Sequence, residues 1–270
     1  MSAQGLNPFE RTTIKFSPNG DTRVQWDLTR LLTDLGPYYF TLQGARSSVD
    51  TGDFIDIGIP ALNAWYLVDD ENRLFGKSED WFYRIKLQTG LRTYYSPIIS
   101  ADSGVDYRTW RLAREIYRKE KLRLGKYAGL ESTLLLKRKR SGQKCTRCAD
   151  PLTDEPIDNN CQVCLGTGTV NGYYKAVPIL IEMPVSNEVE KVDIEYSGTK
   201  GQAMVQNCRI LGDPAVVSQD VIWDKGSGRR FVVHETTELV TMRGYNIVSA
   251  VNLRMAPFTD VIYTIPEDGV

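Results

Sequence analysis

The sequence predicts a mainly β fold with one long helix: a β-sandwich, then the helix, then a four-cysteine segment, then a small antiparallel β-barrel. Three observations predict it. Short alternating or aromatic-rich runs separated by turn residues fill both ends of the 270-residue chain. Between them lies one stretch in which apolar residues recur every three to four positions. Directly after it come two C-x2-C pairs separated by twelve residues. A length prior of about 100–200 residues per domain predicts more than one folded unit. The parts read as an N-terminal arm (1–11), the sandwich (12–101), a basic helix and linker (102–140), the four-cysteine segment (141–176) and the barrel (177–270).

The front part earns its assignment from runs at 13–16, 23–28, 38–42, 65–68 and 81–87. Pro18-Asn19-Gly20-Asp21, Leu35-Gly36-Pro37 and Asp69-Asp70-Glu71-Asn72 separate them with residues that tolerate tight or left-handed backbone. Trp26, Tyr38, Phe40 and the run from Tyr83 to Leu87 supply large side chains for a shared core. Their placement resembles a fibronectin type III module over about ninety residues.

The helix has Asp102 or Ser103 as candidate caps and an apolar stripe of Trp110, Ala113, Ile116, Tyr117 and Leu124, and Gly125 and Gly129 are expected to interrupt it. Its other faces are basic. Between Arg108 and Arg140 twelve Lys or Arg stand against three Glu, a local balance of +9 that leaves −10 for the rest of a chain whose net charge is −1. The overall charge therefore recommends no polyanion as a partner, whereas this stretch fits contact with a phosphate backbone or an acidic protein, or a solvated face.

Cys145, Cys148, Cys161 and Cys164 have the double-knuckle spacing of zinc ribbons. Zinc takes four soft ligands in a tetrahedron, and each C-x-x-C turn presents two thiolates on one side of a tight loop. Gly142 stands before the first knuckle and Leu165-Gly166-Thr167-Gly168 after the second, where glycine lets backbone amides turn towards sulfur. The polar stretch 149–160, with Pro151 and Pro156, has almost no core of its own, so a structural zinc ion is the expected organiser. A redox dithiol or a pair of disulfides is the other reading of these four residues. Cys208, in an apolar strand pattern, reads as a small buried hydrophobe.

The last part carries strand-like runs at 177–183, 191–196, 202–211, 221–224, 230–235, 239–241, 246–253 and 261–265, punctuated by glycine-containing turns. Frequent hairpins between short strands suit an antiparallel barrel. The sole histidine, His234, falls within one of these strands.

Catalytic signatures are missing from the sequence. It contains no phosphate-binding loop, zinc-protease, nucleophile-elbow or dinucleotide-binding motif, and one histidine leaves Ser/His or Cys/His chemistry without a marked nucleophile. Asp53 and Asp56 could in principle form an acid/base pair, but acidic loop residues are common. No apolar run is long enough to cross a bilayer and the start of the chain is polar, so the expectation is no membrane contact and a reducing, cytosol-like compartment.

The helix, the run from Leu134 to Arg140, the knuckles with Cys161-Gln162-Val163-Cys164-Leu165-Gly166-Thr167-Gly168, then Gly172-Tyr173-Tyr174 and the closing stretch from Asp260 to Pro266 together resemble virion structural proteins of tailed bacteriophages. The resemblance is to proteins of the neck, where head and tail join, and covers about 160 residues. It implies a homo-oligomeric ring subunit in the virion, stabilised by structural zinc and touching other virion proteins of neck, portal or tail. In a head-to-tail ring each subunit shows two different complementary surfaces. Baseplate and tail proteins are built from similar parts. A zinc-ribbon nucleic-acid-binding protein would also unite a zinc site with a basic stretch.

Overall fold

A computed structural model describes residues 7–16, 21–28, 37–46, 54–70, 81–90, 92–100, 107–128, 132–140, 143–150, 156–183, 204–242 and 245–267. The described chain is mainly β with one α-helix, and it divides into two compact units that are discontinuous in sequence. The first comprises Met1–Tyr107 with Lys139–Lys175, the second Arg108–Arg138 with Ala176–Gly269. The cysteine segment thus belongs with the front strands, and the helix with the C-terminal strands.

In the first unit, β1 (Phe9–Phe16), β2 (Thr22–Leu28) and β5 (Tyr66–Asp69) form one antiparallel sheet in the order β1-β2-β5. A second sheet runs β4-β3-β6-β7, built from β3 (Tyr39–Ala45), β4 (Ile55–Leu62), β6 (Phe82–Gln88) and β7 (Thr93–Tyr95), with β8 (Ile99–Ser100) also on β6. Alternation in β2 buries Val24, Trp26 and Leu28, and alternation in β6 buries Tyr83, Ile85 and Leu87. Both sets join Phe9, Phe40, Leu42 and Trp81 in one core, and the Trp26 and Phe40 rings meet across the sheets at 4.8 Å.

Strand β4 had no sequence signal because its alternation is interrupted: Gly58 takes φ +71° and the ladder to β3 shifts register between Phe40 and Leu42.

The second unit is a seven-stranded antiparallel sheet in the order β10-β9-β13-β14-β15-β12-β11. Its strands are β9 (Thr133–Leu136), β10 (Val177–Ile179), β11 (Ile181–Glu182), β12 (Met204–Leu211), β13 (Val221–Asp224), β14 (Arg229–Met242) and β15 (Tyr245–Met255). The two outermost strands, β10 and β11, are separated by Leu180 alone. One short segment therefore pairs with β9 through its first half and with β12 through its second, so the sheet nearly closes on itself.

Helix α1 (Tyr107–Arg123) lays Ala113 and Tyr117, with Leu124 beyond its end, against Leu211, Ile247 and Val248. Its candidate caps, Asp102 and Ser103, lie outside the described residues, as do the predicted strand at 191–196 and Asp53 of the proposed carboxylate pair.

Three local expectations need correction. Gly125 does not interrupt the helix, which continues through one π turn over Leu124–Ala128. Leu124 is fully buried there, and its packing outweighs the modest helix cost of one glycine. The stretch at 261–265 is not a strand: Val261–Thr264 forms a 3-10 turn, because Asp260 caps it by accepting the amide hydrogen bond of Ile262. The two runs at 230–235 and 239–241 are one strand, β14, whose register shifts against β15 hide the alternation.

Candidate metal centre

The four cysteines sit in a segment with little regular structure, and glycine and short hydrogen bonds shape both turns. In the first knuckle the Ala149 amide donates to Cys145 O at 3.0 Å and the Ile157 amide to Cys148 O at 2.8 Å. In the second, Leu165 and Gly166 turn through φ +54° and +74°, and the Thr167 hydroxyl donates to Cys164 O at 2.7 Å. The knuckles are tied together where the Cys145 amide donates to Gly168 O at 2.9 Å and the Val170 amide to Gln143 O at 2.8 Å.

Two glycines permit this approach. A Cβ on Gly166 would stand 2.5 Å from Asn159 O, and one on Gly172 would stand 2.3 Å from Cys164 O.

All four thiols are buried and none is in a disulfide. Their sulfurs lie within 4.8 Å of one another, with Cys145 and Cys161 at 3.8 Å and Cys148 and Cys164 at 3.2 Å. A tetrahedral ion with bonds of about 2.3 Å sets its sulfurs about 3.8 Å apart, so the cage is of the right size for one metal ion. The knuckles interleave: each close pair takes one sulfur from each C-x-x-C turn.

Burial and neighbouring groups shift the thiols unevenly. Burial raises the Cys148 thiol well above its ordinary range, with the neighbouring sulfurs adding to it, and burial also raises Cys164. At Cys161 burial pushes in the same direction, but the Cys164 and Val163 amides and the adjacent sulfurs outweigh it and lower the thiol to about 7. The raised thiols favour the protonated form without a cation among them, and metal coordination deprotonates thiols outright. Four protein sulfurs fill a tetrahedron and leave no position for water.

The segment rests on its own unit. The Tyr174 ring lies 6.4 Å from that of Trp65, and the Lys175 amide donates to Asn63 O at 3.4 Å. Lys139 Nζ stands over the Tyr174 ring at 5.4 Å.

The remaining candidates are placed as follows. Cys208 is fully buried in β12, opposite Val251. His234 is exposed on β14. Asp56 accepts from Gln43 Nε2 at 2.6 Å and pairs with Lys86 Nζ at 3.4 Å on the outside of its sheet.

The basic stretch divides in two. On α1 the cations are largely exposed, whereas further on Lys137 pairs with buried Asp220 at 2.8 Å and Arg138 bonds to Gln219. Sequence reasoning missed the Lys137–Asp220 pair because its members lie 83 positions apart and neither belongs to a motif.

No family model matches this chain, and no curated protein matches it.

Proposed function

We propose that this chain is a non-catalytic structural protein of a tailed-phage virion, a subunit of a ring at the neck that joins head to tail, with a structural zinc ion at Cys145, Cys148, Cys161 and Cys164. The observation that carries the reading is the closed set of four buried sulfurs. A centre with no open position orders chain and activates nothing, and here the four sulfurs form a buried cluster of their own within a segment of turns. Zinc is the ion of choice because four thiolates in a tetrahedron suit a soft, redox-inert dication.

The three-stranded sheet sharing a core with the larger sheet supports a fibronectin type III-like sandwich for the front module, and the nearly closed seven-stranded sheet supports a small barrel for the second. Modules of these kinds suit a building part whose outer domain faces away from the ring.

The test is electron microscopy of intact virions together with the mass of the purified protein. Density for both modules in a symmetric ring at the neck supports the reading. Density at the baseplate moves the protein there, and a chain missing from every particle overturns it.

A further inference from the structure

We propose that the four cysteines are also a site of covalent oxidation, at which hydrogen peroxide joins Cys145 to Cys161 and Cys148 to Cys164 in two disulfides that each tie one knuckle to the other. The inference rests on the metal-centre reading of the same residues and adds what they do when the ion is withdrawn.

The pairing follows from where the sulfurs lie. Cys148 and Cys164 are 3.2 Å apart and Cys145 and Cys161 3.8 Å, and these two contacts use each of the four thiols once. Bonded sulfurs stand about 2.05 Å apart, so both pairs close through movements of about 1–2 Å. The backbone already holds the partners face to face, with the Cys145 amide on Gly168 O and the Val170 amide on Gln143 O. Bonds within each C-x-x-C turn would leave the knuckles unjoined.

Burial gives the two members of each pair different roles. Cys148 and Cys161 keep 6% and 4% exposure, whereas their partners Cys164 and Cys145 have none. Peroxide oxidises the outer thiol to a sulfenic acid with release of one water, and the inner thiol then attacks that sulfur, forming the S–S bond and releasing a second water. Metal and disulfides claim the same four sulfurs, so the bonds form as the ion leaves. Each one links residues 16 positions apart, a loop whose closure favours the ordered segment by about 100-fold. A segment folded around metal in reductant thus keeps its shape where thiols oxidise.

The full chain is first assayed for zinc, which tests the metal-centre reading by itself. It is then treated with EDTA and hydrogen peroxide, denatured, alkylated and mapped by tandem mass spectrometry, with cleavage after Arg147 parting Cys145 from Cys148. The expected links are Cys145–Cys161 and Cys148–Cys164, with Cys208 alkylated. Links within the C-x-x-C turns, links of Cys145 to Cys164 or of any of the four to Cys208, and sulfinic acids without disulfides all overturn the proposal. In Cys164→Ser the Cys145–Cys161 bond still forms and Cys148 takes up dimedone, a sulfenic-acid reagent; a Cys145–Cys148 bond there overturns it too. Protease cleavage between Cys148 and Cys161 is expected to be about 100-fold slower in the oxidised wild type than in the EDTA-treated chain kept in reductant, and equal rates count against the proposal. Zinc in the untreated chain with other links defeats this inference alone, whereas the expected links in a chain without zinc defeat the metal reading alone.

Discussion

Lys137 donates to Asp220 at 2.8 Å inside the second unit, and Asp220 is completely buried. The carboxylate also accepts from the Arg138 and Val217 amides at 3.1 and 2.9 Å, so one side chain ties the end of β9 to the loop before β13. Burial raises the Asp220 carboxyl above its ordinary range even though Lys137 pulls it down.

Lys137→Met leaves that carboxylate buried without its counter-charge, and removing one partner of such a pair costs about 3–5 kcal/mol. The loss is largest near neutral pH and shrinks on acidification, because protonation of Asp220 removes the uncompensated charge. Denaturant unfolding of wild type and variant at pH 7 and pH 5 checks both statements. A loss that is equal at the two values would contradict this account of the pair.

Gly166 and Gly228 separate two costs of glycine replacement. Both have positive φ, +74° and +70°, but a Cβ on Gly228 meets nothing, whereas one on Gly166 meets Asn159 O at 2.5 Å. Gly228→Ala is expected to cost about 1–2 kcal/mol from backbone strain alone. Gly166→Ala adds a backbone collision beside the second knuckle and is expected to cost more and to weaken metal retention. Thermal melts with zinc analysis of both variants decide it.

Lys139 gives a pH signature of opposite sign to that of a lysine whose ammonium is stabilised by an acidic partner. Burial lowers its ammonium to about 8. Between about 8 and the ordinary lysine value near 10.4, the unfolded chain binds the proton that the folded chain has released, so stability rises with pH across that window. Below the window the full penalty of a buried charge remains. Lys139→Met is expected to be more stable than wild type at pH 7 and to lose that advantage by pH 10. Melting temperatures of the two proteins across this range are the measurement.

The parts of the fold that were legible in the sequence are those where one face is buried and alternation is unbroken. Strands β2 and β6 declared themselves through Val24, Trp26, Tyr83 and Ile85. The cysteine cluster was legible because ligand spacing within a tight turn is local. What escaped depends on distant pairing. Thr133–Leu136 is buried at every position in the middle of a sheet, so it shows no alternation, and its partners are the strands at 177 and 221. Membership of the compact units was equally hidden, since neither the helix nor the cysteine segment carries a local mark of the strands it joins.

The metal itself gives the sharpest prediction. The purified chain is expected to hold one zinc ion, and Cys161→Ser to hold none, because three sulfurs leave the tetrahedron open and uncompensated. Cys208→Ser serves as the control: it too alters a buried thiol, but one outside the cluster, and it keeps the ion. Metal binding orders small peptides of this kind by about 10–16 kcal/mol at neutral pH, so chelation releases the turns around Cys145 and Cys161 before it melts the sheets. Cleavage by added protease should therefore begin within the cysteine segment in chelated wild type and in untreated Cys161→Ser, and not in Cys208→Ser. Replacing zinc with cobalt reports the geometry directly, through the visible absorption of a tetrahedral thiolate site. A chain that folds in reductant with no bound metal, and that resists protease equally with and without chelator, would remove the basis for a structural centre.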